Sequence, residues 1–242
     1  MNLKNNQKEK IFKFLHNIFF GLIITLCIIL TICFKLNILT LISCIAGIVY
    51  VVFLSDRNIW NFLIGFISST TYIFISYKAK LYGEVIFYLI IDLPMIFVSY
   101  FAWRKHVDKS FKVAAKKLSI KKILIISIVS VVCTGLYALI LKSLGGVNVV
   151  VDSISTVVSL IATILMTLRY REQWFMWMIV YSVSIIMWAT TFDLLMLIMS
   201  ISCFVSSIIG FVNWTKSANK NQPLDSTSQK IGIENTPHTM LK

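Results

Sequence analysis

The chain has 242 residues, 58% of them hydrophobic, and a mean hydropathy of +0.84. That composition excludes a soluble globular domain. The formal net charge of +13 would suit a nucleic-acid binder, but the placement of the charges along the chain excludes that class too.

About 20 apolar residues cross roughly 30 Å of hydrocarbon. Eight stretches fit that length: 17–34, 37–55, 59–77, 82–103, 122–142, 147–168, 173–190 and 192–214. A basic stretch precedes the first, as in a signal peptide, but no small-x-small cleavage site follows and a second span begins almost at once. It reads as a retained helix, with Phe20 facing lipid. Short joints carry the charge and turn signals: Lys35 to Asn37, Asp56 to Asn58, Lys78 to Gly83, Lys142 to Gly146, and Arg169 to Gln173. Between the fourth and fifth spans, Phe111, Ala114, Ala115 and Leu118 recur at helical spacing, which predicts a short basic helix lying on the inner surface. From Thr215 the chain turns polar, with Pro223 and Pro237, and reads as a disordered tail. The five cysteines (Cys27, Cys33, Cys44, Cys133 and Cys203) are scattered inside spans, as small packing residues rather than a disulfide framework or metal site. No metal or cofactor is expected.

With eight spans, the connecting segments alternate sides. One side collects nineteen of the 23 Lys and Arg residues, eight of them within 104–122; the other keeps only Lys35, Lys78, Lys80 and Lys142. This is the positive-inside pattern, so the charge sets topology and both termini are expected in the cytoplasm.

Two stretches read alike. Arg57-Asn58-Ile59-Trp60 and Arg171-Glu172-Gln173-Trp174 each follow one apolar span and precede two more, and each block ends on a tryptophan beside basic residues, Trp103 or Trp214. The expected architecture is an all-α integral membrane protein of eight transmembrane helices. Residues 1–36 hold the N-terminal segment and first helix, 37–103 a three-helix repeat, 104–146 the basic loop and a linker helix, 147–214 a second three-helix repeat, and 215–242 the tail. The linker helix makes the repeats parallel, related by an axis along the membrane normal, with Trp60 overlying Trp174. Small-solute transporters are built this way.

Polar groups in hydrocarbon are costly and turn toward the bundle interior or a wet cavity. They fall here into stripes at helical spacing: Asn61, Gly65, Ser68, Tyr72 and Ser76 in the third span; Tyr88, Asp92, Met95 and Ser99 in the fourth; Asp152, Ser155, Ser159 and Thr163 in the sixth; Trp174, Trp177, Tyr181, Ser184 and Trp188 in the seventh. Helix packing explains any single Ser or Gly, and an interfacial belt or a structural hydrogen bond would explain Trp174 or Asp92 alone. The stripes together argue for one central cavity. Its candidate site stacks a planar, cationic ligand on Trp174, Trp177 and Tyr181, with hydrogen bonds from Tyr88, Asp92 and Asn61.

An enzyme is disfavoured: His16, His106 and His238 lie outside the spans, and no intramembrane Ser/His or paired-Asp arrangement is visible, so no catalytic residue is assigned. A receptor or assembly subunit would have no need of a polar centre.

Over about residues 40–214 the chain resembles the PnuC family of bacterial nicotinamide riboside transporters. The likeness rests on Trp60-Asn61-Phe62 with Gly65, on Tyr72, and on Leu81-Tyr82-Gly83-Glu84. Pro94-Met95, Trp103-Arg104-Lys105-His106, Glu172-Gln173-Trp174 with Trp177, and Gly210 with Trp214 extend it. The resemblance implies a SWEET-like three-one-three fold, facilitated diffusion without a coupling ion, and a homo-oligomer, a trimer. It also implies a small-molecule substrate, trapped after entry by a functionally linked cytoplasmic kinase. Tyr181 stands where the family commonly has Asn, and Tyr88 where it has Gln or Asn. Thiamine, riboflavin and deoxynucleosides, carried by relatives of the family, therefore stay open as alternative substrates.

Overall fold

The computed structural model describes residues 2–143 and 149–220, with the side chains of all of these except 2–16, 151 and 152. Every described segment of regular structure is helical. The order is α1 (Asn2–Phe34), α2 (Ile38–Ser55), α3 (Asn61–Lys78), α4 (Tyr82–Phe87), α5 (Leu93–Arg104), α6 (Ile120–Ser143), α7 (Val149–Thr167), α8 (Gln173–Thr190) and α9 (Leu194–Lys220). A π-helical turn, Tyr88–Asp92, joins α4 to α5, so that Tyr82–Arg104 continues as one apolar stretch. Among the described residues, 6 helices are long and apolar enough to cross a membrane: the Asn17–Phe34 part of α1, α2, the α4–α5 stretch, α6, α8 and α9. The chain is a multi-pass membrane protein. α3 has 18 residues but carries Asn61, Ser68, Ser69, Thr70, Thr71 and Ser76, and α7 counts as a shorter apolar helix over Ser153–Thr167.

Four helices end in the same way. Lys35, Arg57, Lys80 and Arg169 adopt positive φ (50°, 61°, 60° and 65°) just past α1, α2, α3 and α7. At each end the next backbone N–H reaches back to a carbonyl in the last turn: Leu36 to Thr31, Asn58 to Phe53, Leu81 to Ser76 and Tyr170 to Leu165, at 2.9–3.0 Å. This is the Schellman closure, which satisfies carbonyls that lipid cannot. Glycine would adopt it without strain, whereas a basic residue places a cation against the negative end of the helix dipole. Helix starts are fixed by acceptors: Asn37 Oδ1 takes the Leu39 N–H at 2.8 Å, and Asp193 Oδ1 takes that of Met196 at 3.1 Å.

α2 packs between α3 and α9, α9 against α8, α8 against α7, and α5 against α7. α1 leans on α2, and α6 leans on α7 with none of its residues buried. At the end of the bundle bearing Arg57 and Arg169, a layer of rings closes the interior. Phe62 meets Trp103 edge-on at 4.9 Å, Trp103 lies 5.8 Å from Trp214, and Trp214 lies 6.0 Å from Trp174. Two indoles tie the blocks reciprocally. Trp103 Nε1 of α5 donates to the Met166 carbonyl of α7 at 3.1 Å, and Trp214 Nε1 of α9 donates to the Leu54 carbonyl of α2 at 3.0 Å.

The structure corrects several sequence expectations. The basic segment after Arg104 is not a surface helix. Its backbone is extended and bridged, Asn58 with Lys112, Val107 with Val113, and Lys116 with Tyr170. Val113 N–H donates to the Arg57 carbonyl (3.1 Å) and Ile59 N–H to that of Phe111 (3.0 Å). Lys116 N–H donates to the Arg169 carbonyl (2.8 Å) and Arg171 N–H to that of Lys116 (3.0 Å). Of the residues read as one helical face, Ala115 and Leu118 instead plug the space between the two turns together with Val113, each 5% exposed or less, while Phe111 and Ala114 are exposed. The Arg57 guanidinium reaches into this strap, donating to the Val113 carbonyl (3.2 Å) and to Ser217 Oγ. Its burial lowers its pKa from the usual arginine range, against an opposing pull from Asp56 and Asp108.

Phe20 does not face lipid; it is 3% exposed and sits edge-on to Phe19 at 5.1 Å. The polar segment from Thr215 continues α9 to Lys220, and the remainder of the predicted tail, 221–242, lies outside the described residues, as do the 144–146 joint and the Asp152 side chain. The two arginine turns share one hydrogen-bond pattern when Arg57 is set against Arg169, not Arg171. Phe62 is then the counterpart of Trp174. Trp60 lies 50% exposed on Phe111, whereas Trp174 is fully buried.

Trp174 owes its seat to Gly210, where an added Cβ would stand 2.4–2.6 Å from three atoms of the indole. Gly210→Ala should therefore destabilise the protein by about 1–3 kcal/mol, as overpacking does. Gly135→Ala, which meets nothing within 4 Å, should be neutral or stabilising. Thermal unfolding of both variants in detergent measures the contrast.

Candidate functional site

A small cavity of about 50 Å³, partly open to the outside, lies between the blocks. α2 contributes Gly47 and Tyr50; α3 contributes Ser68, Ser69 and Tyr72; the π turn contributes its first and last residues, Tyr88 and Asp92. α8 supplies Trp177 and Tyr181, and α9 supplies Met199 and Cys203.

The π turn has a local cause. Pro94 lacks the N–H that would bond back toward Ile90, and the Leu93 N–H reaches instead to the Tyr88 carbonyl, one residue farther than in an α-helix. The wider turn sets Tyr88 and Asp92 on the cavity wall. Asp92 Oδ2 accepts a hydrogen bond from Ser69 Oγ at 2.6 Å. Across the cavity, Trp177 and Tyr181, one helical turn apart, stack with centroids 5.7 Å apart and planes inclined 21°. Trp177 Nε1 is buried with no hydrogen-bond partner. A buried indole N–H left unpaired is costly, and its residue lines the cavity.

At the end of the cavity away from the tryptophan layer, Tyr72 forms a cap. Its ring lies 4.5 Å from that of Tyr88, and its hydroxyl accepts from Trp188 Nε1 at 3.2 Å, with the two rings edge-on at 5.7 Å. Rings thus close the cavity at both ends, by Tyr72–Trp188 on one side and by Phe62, Trp103, Trp214 and Trp174 on the other. What remains between is an aromatic chamber which, among the described residues, holds one carboxylate, two serine hydroxyls and the Trp177 indole. It can stack a flat ring and accept hydrogen bonds from it.

Of the six candidate residues, Trp177, Tyr181, Tyr88 and Asp92 line the cavity. Trp174 and Asn61 do not. Trp174 lies in the closing layer, held by Gly210 and Trp214. Asn61 is fully buried at the start of α3, its Nδ2 donating to the Asn58 carbonyl at 2.6 Å. Tyr50, Ser68, Ser69, Tyr72, Met199 and Cys203 were missed. Ser68 and Tyr72 belong to the polar stripe of the third span and were legible there. Tyr50, whose hydroxyl donates to Met166 Sδ at 3.4 Å, sits in an apolar span with no such pattern.

Residues 37–216 match the family described as nicotinamide mononucleotide transporter. A protein of Neisseria mucosa named nicotinamide riboside transporter PnuC is 36% identical over 191 residues, covering 74% of this chain and 73% of its own. A protein of the same name from Haemophilus influenzae is 35% identical over 181 residues, covering 74% of this chain and 79% of its own. A crystal structure described as the vitamin B3 transporter PnuC superposes with a TM-score of 0.80 at 31% identity, over 86% of this chain and 93% of that one.

The cap provides a test of the cavity's closure. Tyr72→Phe removes the acceptor for Trp188 Nε1 and leaves a buried N–H unpaired, at a cost of about 1–3 kcal/mol. Its unfolding midpoint in detergent should fall, whereas Tyr77→Phe, at a residue 63% exposed, should leave it unchanged.

Proposed function

This chain belongs to the nicotinamide mononucleotide transporter family, and from that premise we propose that it takes up nicotinamide riboside by facilitated diffusion. The observation that carries the substrate reading is the stacked Trp177–Tyr181 pair with an unpaired indole N–H, facing a wall that holds Asp92. The riboside offers a flat pyridinium ring for the stack, where each well-placed face contributes about 0.5–2 kcal/mol to a desolvated cation. Its hydroxyls and carboxamide N–H groups suit Asp92 and the serines, and its carbonyl oxygen suits Trp177 Nε1. Trp177, Tyr181, Tyr88 and Asp92 are the direct contacts in this reading. Trp174 and Asn61 act from the closing layer, behind the first of these.

The proposed architecture is eight spans in a three-one-three order. Residues 37–103 and 147–214 form parallel repeats joined by the linker helix of 104–146, with α1 as the additional helix. The matching hydrogen bonds of the two arginine turns and the reciprocal indole bonds, Trp103 to Met166 and Trp214 to Leu54, support this reading. Transport is a rocking of one repeat against the other around the chamber, alternately parting the Tyr72–Trp188 cap and the tryptophan layer. The gradient drives uptake. Phosphorylation by a cytoplasmic kinase adds charge and prevents return. A homotrimer follows the family resemblance, and the apolar α6, without buried residues, offers it a lateral face.

Both termini are placed in the cytoplasm by the basic asymmetry. A cysteine introduced at Lys109 in the strap, on a background with the five native cysteines replaced, should resist an impermeant maleimide in intact cells and react after permeabilisation. Labelling in intact cells would invert the topology.

The site is tested by calorimetry in detergent against nicotinamide riboside, thiamine, riboflavin and deoxynucleosides. The parent should bind the riboside best, and Trp177→Ala should lose about ten-fold in affinity. Leu22→Ala, at a residue 65% exposed, should bind as the parent does. Unchanged binding by Trp177→Ala would move the site elsewhere, and a parent that binds thiamine, riboflavin or a deoxynucleoside best would change the substrate.

A further inference from the structure

We infer that Arg169, Lys116 and Lys122 form a site for the headgroup phosphate of an anionic phospholipid, which holds α6 to the turn after α7. Two turns of the chain share one construction: Arg57 and Arg169 each follow a helix at positive φ, with matching hydrogen bonds around them. The Arg57 guanidinium has partners. It donates to the Val113 carbonyl and to Ser217 Oγ, and Asp56 and Asp108 pull on its charge. Arg169 is more deeply covered, at 7% exposed. Among the described residues, however, its side chain has no hydrogen-bond acceptor and no carboxylate beside it.

Its neighbours add to the positive charge. Lys116, whose backbone N–H bonds the Arg169 carbonyl at 2.8 Å, holds its ammonium over the Tyr170 ring, 5.8 Å from the centroid. Burial, then the charges of Arg169 and Lys122, keep that ammonium below the usual lysine range. Lys122 stands in the first turn of α6, which has no acidic residue, at the positive end of the helix dipole. Three cations thus converge with no anion of the described chain to offset them. A covered cation without a partner is costly, and a bound anion removes that cost. Arginine, lysine and a helix N-terminus are the groups that hold phosphate.

The position of the cluster selects a lipid over a free phosphate. Leu168, beside Arg169, is exposed, and so are Ile120 and Leu124 around Lys122. α6 buries none of its residues and leans on α7. In a multi-pass membrane protein such apolar surface meets hydrocarbon, so an acyl chain lies along it while the headgroup meets the three cations. The lipid bridges Lys122 of α6, Lys116 of the strap and Arg169 after α7, and supplies an attachment that α6 lacks in buried contacts.

Native mass spectrometry of the full chain in detergent, titrated with phosphatidylglycerol or phosphatidylcholine, reads the binding. The parent is expected to hold one phosphatidylglycerol at least ten-fold more tightly than phosphatidylcholine. Lys116→Gln with Lys122→Gln should weaken phosphatidylglycerol by about ten-fold or more, since each basic residue at a membrane surface contributes about five-fold. Both lysines are exposed, so in lipid-free detergent this double variant should unfold at the parent's midpoint. Added phosphatidylglycerol should raise the midpoint of the parent and not that of the double variant. Lys105→Gln with Lys109→Gln, which removes two exposed charges of the strap outside the cluster, should bind as the parent does. Arg169→Gln should bind as weakly as the Lys116 and Lys122 variant; should it fail to fold, that variant decides. Equal weakening by the Lys105 and Lys109 variant would make the effect one of overall charge and overturn the site. So would equal binding of the two lipids by the parent, or unchanged binding when Lys116 and Lys122 are replaced. Displacement of the lipid by inorganic phosphate would assign the cluster to a free phosphate and overturn the lipid reading.

Discussion

Hydrocarbon offers no hydrogen bonds, and the ends of helices are where a membrane protein feels this most. The last carbonyls of α2 and α7 show how the chain answers. Each helix closes on a left-handed arginine whose neighbours return N–H groups to the final turn. Each then receives an indole N–H from a helix of the opposite block. The donors that satisfy these ends are thus the contacts that hold the blocks together, and the rings that bring the donors form the layer under the chamber. Closure, helix termination and inter-block adhesion are one set of atoms.

That economy sets where polarity can be used. Most buried hydroxyls of α9 turn back onto their own helix, Ser200 to Met196, Ser202 to Ile198 and Ser207 to Cys203. They leave nothing for a ligand. Among the described residues, buried groups without a partner include Trp177 Nε1 on the cavity wall, and Asn61 Oδ1, the Gln173 amide and Trp174 Nε1 outside it. Polar stripes in a membrane chain are therefore mostly packing.

This also decides what the sequence could reveal. Spans, joints and the face of α3 carrying Asn61, Gly65, Ser68, Tyr72 and Ser76 follow from local periodicity and were legible. So were Trp177 and Tyr181, because one helical turn is enough to stack them. The strap was not legible. Its residues have helical spacing, but their backbone finds partners in turns about 50 residues away on either side, and no local pattern carries that information. The place of Trp174 outside the cavity was not legible for a related reason: the space it fills is made by Gly210, on another helix. The hydrogen-bond pattern common to the two turns lies at Arg57 and Arg169, where φ is positive, and not at the indoles that follow. The π turn could have been anticipated from Pro94, whose missing N–H must loosen the turn before it.

The strap has a consequence of its own. Val113 binds the carbonyl of Arg57 and Lys116 that of Arg169, so three residues of extended chain, about 10 Å, bridge the two turns. The segment is a ruler. Its length is set by the separation of the two blocks at this end of the bundle, and one residue more or less would shift every later pairing by a full pleat. Sequence change along it should be tolerated in the exposed lysines and refused in the count between Val113 and Lys116. A stretch that resembles a solvated connector in composition thus carries a strict length.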